Sequence, residues 1–132
     1  MREPGIILVE DSPYESALAY LALTRKASSV VQVASLRAAA RLASGGGAGL
    51  AILGRGAITR VSDRQVRALG IPAVAIGAHL TDADDRRALA AGVRAVYRRP
   101  GEWAAYLALL GRVLAEWRVT RKDSARRRAR TS

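Results

Sequence analysis

Five short apolar runs, each followed by a stretch patterned for a helix, constrain this chain more than any other feature. Strands are predicted near 5–9, 29–34, 49–53, 72–76 and 93–97, and helices near 13–26, 36–44, 62–69, 82–91 and 101–118. Apolar runs alternating with longer helical patterns build βαβ units, which place a parallel sheet at the centre. Several boundaries have a local cause. Ser12-Pro13-Tyr14-Glu15 has the form of a capping box with proline at the first helical position, so the first helix starts directly after Glu10 and Asp11. Thr81-Asp82-Ala83-Asp84 repeats that logic, with acids in the first turn facing the positive end of the helix dipole. Gly70 and Gly92 close the helices before them, and Gly45-Gly46-Gly47 closes the second helix. Pro72 stands at the start of a strand, where its missing N–H does least harm.

Such units wind into an α/β fold: a flavodoxin-like, doubly wound, five-stranded parallel sheet of order 2-1-3-4-5 with five helices. Functional residues of such a sheet gather beyond the carboxyl ends of its strands. Here those ends carry Glu10 and Asp11 after the first strand and Gly54 after the third. Gly77 follows the fourth, and Arg99-Pro100 the fifth.

That order of strand ends resembles the receiver domain of bacterial two-component response regulators, over about residues 5–117. The resemblance implies a metal-ligand position at Asp11, with Glu10 as its acidic neighbour, and a phosphoacceptor position at Gly54. It also implies a hydroxyl position at Gly77 and a lysine position at Arg99. The family carries Asp, Ser or Thr, and Lys at the last three, so the chain is similar to a degenerate receiver, a pseudo-receiver without its phosphoacceptor. The family's switch aromatic falls at Val96, with Tyr97 one place along and pointing to the other face. Two acids without a third are expected to hold Mg²⁺ weakly, so Glu10 and Asp11 are residual metal candidates and no cofactor is expected. With no nucleophile at this edge, the chain is not expected to be an enzyme. Asp63, the nearest downstream acid, is read as opening its helix.

A chain of 132 residues fits one domain, expected over 1–117, with a basic tail over 118–132. The absence of cysteine excludes disulfides and thiolate metal sites, and a single histidine, His79, excludes a multi-histidine metal site. No run approaches the ~18 apolar residues of a membrane span. Glu10 and Asp11 come too early for an apolar signal core. A bacterial cytoplasmic protein with no membrane partner is expected. The net charge is +11 and uneven: residues 118–132 hold seven Arg or Lys against one Asp, the first 117 residues fifteen against ten.

Arg99 has two readings, neutralising Glu10 or Asp11 or gripping a ligand anion in the space beside Gly54 and Gly77. His79 reads as a surface loop residue, and Gly45 to Gly49 lacks the Lys-Ser/Thr of a phosphate loop. In the last helix Trp103, Tyr106, Leu107, Leu110, Val113, Leu114 and Trp117 form one apolar stripe from which Leu109 is left out. Trp117 either packs back on the domain or anchors a partner.

The resemblance implies partner contacts or dimers through the face of the helix at 82–91, the strand at 93–97 and the helix from 101. The residues expected there are Arg86, Arg87, Arg94, Val96, Tyr97, Arg98, Trp103, Tyr106 and Trp117. The expected function is regulation by protein docking or dimerisation, independent of phosphorylation. The alternative is a nucleic-acid-associated regulator that uses Arg121, Lys122, Arg126, Arg127, Arg128 and Arg130 of the tail on phosphates.

Overall fold

The computed structural model describes residues 5–131, with side chains through residue 117. Its elements run β1 (Gly5–Val9), α1 (Pro13–Thr24), β2 (Val30–Val33), α2 (Leu36–Ser44), β3 (Ala48–Leu53) and α3 (Arg55–Ile58). They continue with α4 (Asp63–Leu69), β4 (Ala73–Gly77), α5 (Asp82–Ala90), β5 (Val96–Arg98) and α6 (Trp103–Thr131). All strands are parallel, in the order β2-β1-β3-β4-β5, so the expected flavodoxin-like sheet is present.

The strand alternation sorts side chains between two cores. Ile7, Val9, Ala51, Leu53, Ala73 and Ala75 point to the face covered by α2 to α5. Ile6, Leu8, Leu50, Ile52, Val74 and Ile76 point to the face covered by α1 and α6. Small Ala51, Ala73 and Ala75 share this core with the larger Ile58, Leu80 and Val66, in a chain with no phenylalanine.

Local signals explain most boundaries. Thr81 caps α5 with Asp84 answering at the third position, and Ser62 caps α4 with Gln65 in the same reciprocal manner. Gly70 ends α4 in the left-handed region at φ 66°. Asp63 opens α4 and pairs with Arg67 one turn on, at 2.6 Å.

Four expectations need correction. A sixth helix, α3, follows β3 directly. β5 starts at Val96, although Arg94 N–H and the Ala95 carbonyl already bond to Ala73 and Ala75 of β4. Leu109 is buried, because it stands three residues after Tyr106 and four before Val113 on the stripe that covers the sheet; Trp103, by contrast, is 40% exposed. Ser12 makes no side-chain cap, and Glu15, which would supply the reciprocal half of a capping box, accepts from Arg99 instead. Among the described residues no helix is long and apolar enough to cross a membrane.

Candidate functional site

The carboxyl ends of β1, β3, β4 and β5 bring Glu10, Asp11, Gly54, Gly77 and Arg99 to one edge, as the strand order requires. Glu10 is fixed through its backbone. Its N–H donates to the Val33 carbonyl at 3.0 Å, and its carbonyl accepts from Gln32 Nε2 at 2.7 Å. Gly54 N–H donates to the Val9 carbonyl at 2.9 Å, so Glu10 and Gly54 leave adjacent strands side by side.

The Glu10 side chain turns inward, only 6% exposed, into the space a side chain at 54 would fill. A Cβ built on Gly54 would collide with Glu10 Oε2 and lie 2.6 Å from Cδ. The other oxygen, Oε1, accepts the Ser12 N–H at 3.1 Å. Burial raises the Glu10 carboxyl above its ordinary value; the Ser12 N–H opposes the rise, and the charges of Asp11 and Glu15 add to it.

Asp11 is exposed and leans on α3, where a Cβ built on Gly56 would come within 3.1 Å of its Cγ. Gly56 is therefore a site residue that the sequence pattern did not mark. At the next strand end Leu80 closes in on Gly77, its Cδ2 3.3 Å from the position of an added Cβ. His79, between them, is exposed with φ 58°. A depression of about 240 Å³ remains among Glu10, Asp11, Glu15, Arg55, Gly77 and His79.

Arg99 reaches neither Glu10 nor Asp11. Its Nη2 donates to Glu15 Oε1 at 3.1 Å, and the guanidinium lies 5.8 Å from the centre of the Tyr106 ring. Because α1 begins two residues after Asp11, Glu15 sits in its first turn facing β5, while Glu10 is occupied over Gly54. Arg99 Nε is buried without a hydrogen-bond partner. Burial pushes the Tyr106 hydroxyl up to about 12, with Arg99 opposing.

The edge does not fit Mg²⁺. The ion demands near-ideal octahedral oxygen geometry, whereas Glu10 is committed to Ser12 and Gly54 provides no oxygen side chain. Among the described residues no group of three acids or histidines is arranged for a metal.

The outer face of α5, β5 and α6 is more charged than apolar. Arg86, Arg87, Arg94 and Arg98 are exposed. Arg98 pairs with Asp85 at 3.0 Å and Asp82 at 3.8 Å, and Arg87 with Asp84 at 3.6 Å. The apolar candidates mostly turn inward. Tyr106 is buried, Val96 and Tyr97 are half-buried on opposite faces, and Trp117 packs back on the domain. Trp117 Nε1 donates to Tyr97 Oη at 3.4 Å. The side chains of Arg121, Lys122, Arg126, Arg127, Arg128 and Arg130 lie outside the described residues.

No protein-family model and no curated protein matches the sequence. Solved structures do. A response regulator in red light signalling of R. palustris aligns with a TM-score of 0.71 at 14% identity, over 86% of this chain and 93% of that one. A response regulator from Hahella chejuensis aligns with a TM-score of 0.68 at 20% identity, over 86% and 94%. The receiver domain of Ssk1 from Saccharomyces cerevisiae, solved with the histidine phosphotransfer protein Ypd1, aligns with a TM-score of 0.68 at 19% identity, over 91% and 92%. The chain has the fold of response-regulator receiver domains.

Proposed function

We infer that this chain is a signalling protein of receiver fold that works by docking to a protein partner and takes no phosphoryl group. One observation carries the reading: the Glu10 carboxylate occupies the space above Gly54 that a phosphoacceptor side chain would need. Leu80 against Gly77 points the same way, because a side chain at that strand end would press on a buried leucine. Phosphoryl transfer depends on a nucleophile, cations and positioning at one point. Here the nucleophile is absent and the cation at the lysine position, Arg99, is held by Glu15.

The docking surface is the outer face of α5, β5 and α6. Its exposed arginines, with Trp103, suit a partner with acidic side chains around an apolar contact. The resemblance of the fold to a receiver domain solved with a phosphotransfer protein supports a protein partner. The test is incubation with acetyl phosphate and Mg²⁺ followed by intact-mass measurement. No phosphoryl adduct is expected. A stoichiometric adduct that requires Mg²⁺ would overturn the reading.

A further inference from the structure

The last helix outruns the domain it belongs to. Tyr106, Leu109, Leu110, Val113 and Leu114 of α6 are buried in the core, with Trp117 packed against it. The helix then continues to Thr131. At the same spacing beyond Trp117 stand Thr120, Arg121, Ser124 and Arg128, so the stripe that covers the core ends there. From 120 to 132 the chain has no apolar residue larger than alanine. Over 118–132 seven Arg or Lys stand against one acid, Asp123. Four of the seven, Arg118, Lys122, Arg126 and Arg130, recur every fourth residue, a spacing that sets them on one helix ridge about 18 Å long. Like charges at that spacing repel and weaken a helix. α4 uses the same spacing in the opposite way, with Asp63 paired to Arg67. A ridge of four cations is relieved only by an anion as extended as itself.

We propose that the part of α6 beyond Trp117 binds double-stranded DNA, lying in the major groove with this ridge along one phosphate backbone. The composition selects the partner. A helix on a membrane surface needs an apolar side to enter the acyl boundary, and a protein interface needs aromatic or aliphatic anchors. Residues 120–132 offer neither. Single strands are held by stacking on aromatic rings, and the nearest ring, Trp117, is engaged with Tyr97. What remains is charge, and a duplex supplies it densely, about one unit per 1.7 Å of its axis. Shape then favours DNA over RNA. A helix about 10–12 Å across fits a major groove about 12 Å wide, whereas the A-form major groove is too narrow. Arg121 and Arg128, seven residues apart, form a second line about 130° round the helix from the ridge, on the side of the groove's other wall. Phosphate contacts carry no sequence information, so this binding is independent of base sequence. It is a second activity beside protein docking and uses none of the residues assigned to that surface.

The test is fluorescence anisotropy of a labelled mixed-sequence DNA duplex with residues 1–132, repeated across a salt series. Binding should weaken about 100-fold or more between about 50 and 200 mM salt. Arg118→Gln, Lys122→Gln, Arg126→Gln and Arg130→Gln, made together, keep good helix formers and should flatten the logarithmic salt slope by about 3. The same charge removed from the domain, through exposed Arg25→Gln, Arg37→Gln, Arg41→Gln and Arg60→Gln, should change the affinity less than about threefold. Ala125→Pro keeps every cation but breaks the ridge in two, and should weaken binding about tenfold or more. A chain that does not bind the duplex overturns the proposal. So does an equal loss in the two fourfold variants, which would reduce the binding to net charge alone. An Ala125→Pro protein that binds like the parent overturns it too, because the helix would then be irrelevant. Polyglutamate or phosphatidylserine vesicles bound as tightly as the duplex at the same salt would overturn it in favour of an acidic protein or a membrane. Each result is independent of whether acetyl phosphate modifies the protein.

Discussion

At Gly54 the space of a missing side chain is filled by a carboxylate from the neighbouring strand end, whereas at Gly77 it is filled by a leucine from its own loop. Both glycines stand at strand ends on the same edge, Gly54 as the cap of α3 directly after β3 and Gly77 as the last residue of β4. The two fillers differ in how firmly they hold. Leu80 is 6% exposed and belongs to the core cluster under α2 to α5, so its place is set by packing on several sides. Glu10 is equally buried, but its carboxylate rests on one backbone N–H, carries a charge that burial disfavours, and ends a flexible side chain. The β4 end of the site is thus a solid part of the core, and the β1–β3 end is closed by a group that can swing away. A glycine in the sequence does not by itself say which of these will happen.

The largest effect should come from the firm side. Leu80→Ala removes a buried side chain that both fills the core and covers Gly77, and it should destabilise the domain by about 2–4 kcal/mol. Urea unfolding would measure this as a lower midpoint at unchanged slope. A loss well below that range would mean that Leu80 is as loosely held as Glu10, and the contrast between the two ends would disappear.

Much of this edge was legible in the sequence because it depends on local order. Strand ends follow from apolar runs, and a parallel sheet of this order must bring Glu10, Gly54, Gly77 and Arg99 together. The reciprocal cap of Thr81 and Asp84 was legible for the same reason. What escaped was partner choice across the fold. Glu15 reads as a cap for Ser12 when only near neighbours count, but the folded chain places Arg99, 84 residues away, within its reach. The inward turn of Glu10 and the contact of Asp11 with Gly56 depend on side-chain directions that no spacing specifies. Leu109 was missed for a simpler reason: taking the 40% exposed Trp103 as the start of the stripe turned the inferred buried face away from Leu109.

A paired substitution at the two glycines sharpens the comparison. Gly54 has φ −80° and Gly77 lies in a regular strand, so alanine suits the backbone at both places, and the neighbours decide the outcome. At Gly77 an added Cβ meets Leu80 at 3.3 Å and Arg55 Cβ at 3.5 Å, contacts that relax with small shifts. Gly77→Ala should stay within about 0.5 kcal/mol of the parent. At Gly54 the Cβ would overlap the Glu10 carboxylate, which must leave its buried position and its bond to Ser12. Gly54→Ala should destabilise by about 1–2 kcal/mol. In a Glu10→Ala background the penalty should vanish, as a double-mutant cycle would show. An undiminished penalty would mean that something other than Glu10 keeps residue 54 small.

The smallest effect distinguishes the fillers by pH. The fold raises the Glu10 carboxyl above its ordinary value of 4.5, chiefly by burial, so the native state keeps this proton at pH values where the unfolded chain has released it. Where the native state holds more protons, stability falls as pH rises. Glu10 therefore lowers stability progressively from about pH 4.5 up through its folded value, and the deficit persists at neutral pH. Glu10→Gln keeps the oxygen that accepts the Ser12 N–H and removes the charge. At neutral pH it should raise stability by under about 1 kcal/mol, a few degrees in Tm. Below pH 4.5, where the parent side chain is also neutral, the two proteins should melt together. Leu80 carries no such dependence, so a melting series on Leu80→Ala should run parallel to the parent across the same pH range. If Glu10→Gln also ran parallel, the carboxylate over Gly54 would be solvated as freely as a surface acid, and the space above the glycine would be open after all.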